Sequence, residues 1–196
     1  MRILVLADIE SKNFYDFYSP GKLDPYDLII SCGDLDAEYL EFLVTFAHCP
    51  LLYVHGNHDE AYVAHEPEGC ICIDDRLYEY RGVRFVGLGG CHKYRPGPYM
   101  YTERKMAWRI GRLLPSIWLH HGFDVLVTHA PARHVNDFDT PTHMGFECFG
   151  ALLEKFHPRY FLHGHIHRNY GVKIPRMTVR GDTTVINAFE YYEFEY

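Results

Sequence analysis

The sequence predicts a mixed α/β fold in which two β-sheets pack together and helices cover them from outside. The early part of the chain alternates apolar strand segments with a helical pattern, and the later part contains two hairpin signals. The chain has 196 residues, a length that fits a single domain over 1–196 with a sizeable core. Two mixed sheets packed together are the natural way for such elements to bury their apolar faces.

The strand segments are short runs rich in apolar, β-branched and aromatic residues, bounded by turn residues. The predicted strands are 2–7, 27–32, 51–55, 70–73, 77–80, 83–88, 124–128, 160–163, 178–180, 183–188 and 191–195. Arg81–Gly82 and Gly181–Asp182 are turn signals, so 77–88 and 178–188 are expected to form hairpins.

The helical segments show apolar residues at three- and four-residue spacing. The predicted helices are 37–48, 103–113 and 146–156. Pro115 and Pro158 are expected to end the last two helices or to lie just beyond them, because proline cannot continue a helix without losing a hydrogen bond.

The composition of the chain restricts which partners the protein is expected to bind. The formal net charge of −7 argues against binding duplex nucleic acid, which needs a clustered basic face. No segment has the length of a membrane span and the apolar start is too short for a signal peptide, so the sequence predicts a soluble, cytoplasmic protein that does not enter a membrane. The six cysteines show no zinc-finger spacing. The oligomeric state stays open.

Five apolar runs end in polar residues of metal-ligand type. These endings are Asp8-Ile9-Glu10, Gly33-Asp34, Gly56-Asn57-His58-Asp59, His129 and Gly164-His165-Ile166-His167. Each one alone has an ordinary explanation as a turn, a helix cap or a hydrogen-bonded core histidine. Because ligands gather at the carboxyl ends of parallel strands, the five together predict a polynuclear metal site.

The donor types indicate which ions this site would bind. Carboxylate, amide and imidazole groups without cysteine favour manganese, iron, zinc or cobalt. Two ions roughly 3.5–4 Å apart need a bridging carboxylate, and Asp34 can serve as one. Residues two apart on extended chain point the same way, so Asp8 with Glu10, and His165 with His167, could each serve shared ions.

In order and spacing, these motifs resemble the calcineurin-like metallophosphoesterase superfamily. The resemblance runs from Asp8 to His167 and includes the segments THAP and HGHIH. It implies a four-layer αββα sandwich of two mixed β-sheets flanked by helices, which agrees with the strand pattern. It also implies two divalent metal ions, with manganese favoured and iron, zinc or cobalt as alternatives.

The resemblance implies a role for each motif residue. Asp8 and His167 would bind the first ion, Asp34 would bridge, and Asn57, His129 and His165 would bind the second. His58 would not bind metal; it would protonate the leaving oxygen or stabilise the transition state, while a hydroxide bridging the two ions attacks phosphorus.

Three features of this pattern leave alternatives open. Glu10 stands where the superfamily normally has histidine; we expect it to ligate the first ion, the alternative being that it points away and leaves that site weak. Asp36 or Asp59 could orient His58. His143 is a candidate substrate contact, because His143-Met144-Gly145 resembles an H-x-G segment of small superfamily members, but a plain loop histidine is an equal explanation.

The glycine- and proline-rich segment 87–99 is expected to be a long loop. Its His92, Lys93, Tyr94 and Arg95 would suit the rim of a pocket for an anionic substrate, although an ordinary surface loop is the simpler explanation. The resulting functional hypothesis is hydrolysis of a small phosphodiester or phosphomonoester, with nucleotides among the candidate substrates. The alternatives are a nuclease of the same superfamily and a non-catalytic scaffold for protein interaction.

Overall fold

The computed structural model describes residues 1–169 and 174–196. Within these ranges the strands are β1 (Arg2–Ala7), β2 (Leu28–Ser31), β3 (Leu51–Tyr53), β4 (Ile71–Cys72), β5 (Arg76–Tyr80), β6 (Val83–Leu88), β7 (Cys91–His92), β8 (Met100–Tyr101), β9 (Val125–Thr128), β10 (Tyr160–His163), β11 (Met177–Arg180), β12 (Thr183–Asn187) and β13 (Glu190–Glu195). The helices are α1 (Ala37–Phe46), α2 (Glu103–Leu119) and α3 (Glu147–Phe156), and a 3₁₀ helix covers Asp59–Val63.

The two large sheets are both mixed, as the strand pattern predicted. The first has the order β13-β1-β2-β3-β4, with parallel pairs throughout except for the antiparallel pair of β1 and β13. The second has the order β11-β12-β10-β9-β6-β5, in which β12, β10, β9 and β6 run parallel and the two hairpins are antiparallel. In each sheet, the parallel strands therefore end at a common edge.

Three apolar cores separate four layers. The inner faces of both sheets share one core, to which β1 contributes Val5 and β9 contributes Val127. The outer face of the first sheet packs on α1 through Leu40 and Leu43. The outer face of the second sheet packs on α2 and α3, where Phe149 is completely buried. This is the four-layer αββα sandwich that the resemblance implied.

The prediction that the second helix ends by Pro115 is wrong. α2 continues to Leu119 with Pro115 inside it, on an exposed face. The proline removes one backbone hydrogen bond, but continuing the helix buries Ile117 completely in the core of the second sheet. Pro158 does lie just beyond α3, as expected, and α1 ends two residues earlier than expected.

The hairpin turns form where the sequence indicated them. Arg81 and Gly82 both have positive φ, at 50° and 78°, as the commonest tight hairpin turn requires. The segment 87–99 is not entirely loop, because β7 pairs in parallel with β8 in a small two-stranded sheet. β7 and β8 have two residues each, too few to show a periodicity among the glycines and prolines of this segment, so sequence patterns did not indicate them.

None of the helices within 1–169 and 174–196 combines the length and the apolar character needed to cross a bilayer.

Candidate metal centre

The polar residues that follow the strands converge on one cavity of about 400 Å³. Its walls are formed by Asp8, Asp34, Asn57, His58, Tyr94, Thr142, His143, His165 and His167. A second, smaller cavity adjoins it and shares Asp8, Asp34 and His58. The strand ends of both sheets thus contribute to the same region, although they lie far apart in the sequence.

Asp34, His129 and His165 form a group that could hold a metal ion. One ligand atom from each of the three lies within 4.8 Å of the others. His129 is at the centre: its Nε2 is 3.3 Å from Asp34 Oδ2, 3.0 Å from Asn57 Oδ1 and 3.1 Å from His165 Nδ1. These distances bring together the four residues that the resemblance assigns to the second ion and to the bridge.

Two backbone carbonyls orient the histidine rings of this group. His129 Nδ1 donates to the carbonyl of Cys32 at 2.8 Å, and His165 Nε2 donates to the carbonyl of Thr142 at 2.7 Å. A carbonyl can only accept, so each neutral ring keeps its proton on that outer nitrogen. The opposite nitrogens, His129 Nε2 and His165 Nδ1, face each other and Asp34, and once free of protons they would offer lone pairs to an ion. This is the usual way in which proteins orient histidine ligands.

The electrostatics of this group suit a bound cation. Burial alone would lower the pKa of His129, but Asp34 and Asp8 raise it to about 9, so without an ion this ring holds a second proton near neutral pH, which a bound cation would displace. Burial alone would raise the pKa of Asp34, yet His129 and the N–H of His58 hold it below its ordinary value. Burial keeps the pKa of His165 well below its ordinary range, so this ring is neutral and able to ligate.

The Asp8 side chain, directly after β1, is completely buried. Its Oδ1 accepts the N–H of His165 at 2.8 Å, whereas its Oδ2 is buried without a hydrogen-bond partner within the described residues. Burial raises the pKa of Asp8 to about 7. His167 Nε2 lies 3.9 Å from Asp8 Oδ1, and its side chain is 30% exposed. An unpartnered buried carboxylate oxygen is what a cation would satisfy, so these residues fit the first ion.

The expectation that Asp8 and Glu10, and His165 and His167, lie on extended chain is wrong in its geometry. Asp8 and His165 have positive φ angles of 70° and 66°, so the chain turns sharply at both residues instead of continuing as a strand. Glu10 lines the smaller cavity together with Asp36. Burial, and then the nearby charge of Asp36, raise the pKa of Glu10. Whether Glu10 ligates the first ion stays a prediction.

The Gly33-Asp34 and Gly56-Asn57 loops touch backbone to backbone. A Cβ on Gly33 would lie 2.3 Å from the nitrogen of Gly56, and a Cβ on Gly56 would lie 2.0 Å from Asp34 Oδ1. Buried Asp59 joins the loops, because its Oδ2 accepts N–H groups from Asp34 and Gly56 at 3.1 and 2.6 Å. Any side chain at either glycine would therefore separate the Asp34 carboxylate from Asn57.

His58 lies exposed at the mouth shared by the two cavities. Its N–H donates to Asp34 Oδ1 at 2.7 Å, which fixes the main chain beneath the ring. Asp59 bonds the neighbouring main chain, and Asp36 shares the smaller cavity with His58. These contacts show that Asp59 holds the loop; whether Asp36 or Asp59 orients the ring stays a prediction with both alternatives open.

The cavity is also lined by Tyr94 and His143, which the sequence indicated, and by Thr142, which it did not. The His143 ring is 5.5 Å from the His165 ring, and Tyr94 Oη accepts from Asn57 Nδ2 at 3.5 Å. His92, by contrast, stacks on Phe146 and does not line the cavity. Thr142 was missed because it acts through its carbonyl, which every residue type possesses.

Comparison with known proteins agrees with this architecture. The family model of the calcineurin-like phosphoesterases matches residues 1–169. An uncharacterized protein of Haemophilus influenzae is 27% identical over 173 residues, which span 72% of this chain and 73% of that protein. A UPF0046 protein of Caenorhabditis elegans is 31% identical over 127 residues, 61% of this chain and 41% of that protein.

A solved structure, that of TT1561 of Thermus thermophilus, aligns with a TM-score of 0.62 at 16% identity, covering 96% of this chain and 89% of that one. At this identity the likeness shows the fold alone. The family match, by contrast, extends over every strand-end motif that lines the cavity. The chain belongs to the calcineurin-like phosphoesterase family.

Proposed function

We propose that this protein is a phosphoesterase that depends on two divalent metal ions and hydrolyses a small phosphodiester or phosphomonoester. The observation that supports it most directly is the convergence of His129 Nε2, His165 Nδ1 and Asp34 Oδ2 within 4.8 Å beside an exposed histidine. Manganese is the favoured ion, with iron, zinc or cobalt as the alternatives, because the donors are oxygen and imidazole nitrogen.

The charge of the smaller cavity supports dependence on cations. It is lined by Asp8, Glu10, Asp34, Asp36 and Asp59, with His58 the basic side chain among the residues described there. A phosphate ester is an anion and would be repelled from so many carboxylates. Two bound divalent ions would offset most of this negative charge, polarise the phosphoryl oxygens and lower the pKa of a water molecule.

The side chains of this protein would divide the remaining work. Asp8 and His167 would hold the first ion, with Glu10 as the additional candidate; Asp34 would contact both ions; Asn57, His129 and His165 would hold the second. His58 would protonate the leaving oxygen, since an imidazole can donate a proton near neutral pH and this one is open to the cavity. His143 and Tyr94 would contact the substrate from the cavity wall.

The size and the lining of the cavity favour a small substrate. A volume of about 400 Å³ falls in the range of small-molecule sites. Tyr94 and His143 provide flat rings against which a planar leaving group could lie. Nucleotides are therefore the first class of phosphate ester to be tested after a generic compound.

The decisive experiment is hydrolysis of a chromogenic phosphodiester by protein reconstituted with manganese, beside the His58→Ala variant. His58→Ala should keep both ions, measured by elemental analysis, and should lose roughly 10²- to 10⁴-fold in kcat, as removal of a general acid does. His65→Ala, which removes an exposed histidine paired with Glu41 away from the cavity, is the matched control.

Full activity in His58→Ala would remove this residue from the mechanism. A folded wild-type protein that binds manganese but fails to hydrolyse phosphodiesters, phosphomonoesters and nucleotides would favour the non-catalytic scaffold. The substitution of glutamate for histidine at position 10 is the feature that favours this second candidate.

A further inference from the structure

A buried ion pair lies beneath the Gly56-Asn57 loop, outside the cavity. Arg109 of α2 is only 4% exposed and donates to Asp74 Oδ1 at 2.7 Å and to Asp75 Oδ1 at 2.8 Å. It also donates to the carbonyl of Gly89 at 2.8 Å, and its guanidinium lies 4.2 Å above the Tyr101 ring. An arginine on the core-facing side of a helix is unusual, because desolvation of both charges is costly.

Asp74 also forms hydrogen bonds with two other segments. Its Oδ1 also accepts the N–H of Gly89 at 2.6 Å, and its Oδ2 accepts from His55, both from ring Nδ1 at 2.8 Å and from the main chain at 3.4 Å. The Tyr99 ring stacks on the His55 ring at 4.2 Å. Asp74 therefore joins α2 to Gly89 and to the residue directly before Gly56.

The adjoining Gly89–Gly90 dipeptide connects the two loops that carry ligands of the second ion. The N–H of Gly90 donates to the carbonyl of His55 at 2.6 Å, and the carbonyl of Gly90 accepts the N–H of Ala130 at 3.3 Å. His55 lies two residues before Asn57, and Ala130 directly follows His129. A Cβ on Gly89 would lie 2.5 Å from both Asp74 Oδ2 and the His55 carbonyl oxygen, so the two segments pack too closely for any side chain at this position.

We propose that the Arg109–Asp74 pair is a positioning element for the second metal ion. Through His55 and Gly89–Gly90, it sets the distance between Asn57 Oδ1 and His129 Nε2, which is 3.0 Å. The first-ion residues Asp8 and His167 lie after β1 and after β10, which this network does not touch among the described residues. The inference rests on the proposed function, because it assumes that two ions bind.

The test is a titration of chelator-treated protein with Mn²⁺, in which free Mn²⁺ is followed by electron paramagnetic resonance. Wild type should bind two ions. Arg109→Met, which keeps the length of the side chain but not its charge, should weaken one binding step by at least roughly tenfold, the usual cost of losing an outer-sphere partner. That step should be the one that His129→Ala abolishes. Activity of the manganese-loaded enzyme is a second readout.

Arg84→Met is the matched control. Arg84 forms a bidentate pair with Asp124 at the opposite end of β6, with both nitrogens 2.8 Å from the carboxylate. Its loss removes a bidentate ion pair, more exposed than that of Arg109, without touching the ligand loops, so both binding steps should match wild type. Arg109→Lys should restore part of the affinity, because lysine keeps the charge but cannot contact Asp74, Asp75 and Gly89 together.

A double variant distinguishes the loss of ligand positioning from the effect of leaving a buried charge without its partner. Arg109→Met with Asp74→Leu leaves no unpaired buried charge, so it should fold even where Arg109→Met does not. It still lacks the bonds to His55 and Gly89, and one binding step should stay weak. Wild-type binding of both ions by a folded Arg109→Met or by the double variant would overturn the proposal. A wild-type chain that binds no ion would instead overturn the proposed function.

Discussion

The half of the candidate centre assigned to the second ion is enclosed, whereas the half assigned to the first ion is open on one side. In the enclosed half, His129 is fully buried and hydrogen-bonded on both ring nitrogens. In the open half, the Asp8 side chain is equally buried but has an oxygen without a partner among the described residues, and His167 is 30% exposed. One half has its donors aligned before any ion arrives, and the other has one fixed carboxylate and partners at longer distances.

The two ions should therefore bind unequally. Prealigned donors lose little entropy when a cation binds, because their rotamers are already fixed by packing and by carbonyl contacts. We expect the second ion to bind more tightly, and the first to depend on which residue occupies position 10.

The largest effect should come from Asp34→Asn, since Asp34 belongs to both halves. Its Oδ2 faces His129 at 3.3 Å, and its charge contributes to the environment of Asp8. Both ions should bind at least roughly 100-fold more weakly, because the loss of a direct ligand should cost no less than the roughly 10- to 100-fold that the loss of an outer-sphere partner costs. Elemental analysis after dialysis measures the stoichiometry, with exposed Asp182→Asn as the control. A wild-type metal content would refute the bridging role.

Asp74→Asn tests the Arg109–Asp74 network that supports the enclosed half. It does so because Asp74 should make the stability of the protein depend on pH under acid conditions. Burial would raise the pKa of Asp74, but His55 and Arg109 outweigh it and lower it to about 2. Because the folded pKa lies below the ordinary 3.8, the carboxylate stabilises the fold above pH 4 and this contribution disappears as the pH falls towards 2.

Asp74→Asn should therefore reduce the free energy of unfolding by about 2 kcal/mol near neutral pH, and the difference from wild type should shrink below pH 4. Urea unfolding of the metal-free protein between pH 2 and pH 7 measures it. A difference that is constant over this range would show that ionised Asp74 is not the source of the stabilisation.

Removing one histidine from each half compares them directly. His129→Ala should cost more metal affinity than His167→Ala, by roughly tenfold, because a ring fixed on both sides contributes more than a partly exposed one. Mn²⁺ titrations of the two variants, each with its circular dichroism spectrum as a check on folding, provide the comparison. Equal losses would contradict the distinction between an enclosed and an open half.

The smallest effect should come from Glu10→His, which restores the residue normal for the family. Zinc affinity at the first ion should stay the same or rise by a few fold, since imidazole suits zinc better than a carboxylate does. Competition with a zinc-binding dye measures the change. If both forms have the same metal content with every ion tested, position 10 is not a ligand.

Much of the fold follows from local patterns in the sequence. Apolar runs that end in Asp8, Asp34 and His129 indicated where parallel strands stop, and the strands end next to or shortly before those residues. Burial of Ile117 shows the limit of this reasoning: packing against the sheet outweighed the local cost of Pro115, and the helical spacing of Met106, Ile110, Leu113 and Ile117 continued past the proline that was expected to end the helix.

The candidate site was predictable in its residue types and not in its backbone. The motifs named residues that converge on the cavity, but they did not indicate the positive φ of Asp8 and of His165, which meet where the N–H of His165 donates to Asp8 Oδ1 between loops of different sheets. The carbonyls of Cys32 and Thr142 and the pair of Arg109 with Asp74 are likewise tertiary contacts. An arginine three residues after Met106, on the apolar face of α2, was the one local sign of the buried pair.

The interlocking of Gly33 with Gly56 has a consequence for protein engineering. Since a methyl group at either position would collide with the other loop, the two loops cannot be exchanged separately between scaffolds. A transplanted centre would have to carry β2, β3 and both glycines as a single module. Libraries that aim to change ion preference are therefore better directed at position 10, where Glu10 is partly exposed in the smaller cavity, than at the glycine junction that holds Asp34 next to Asn57.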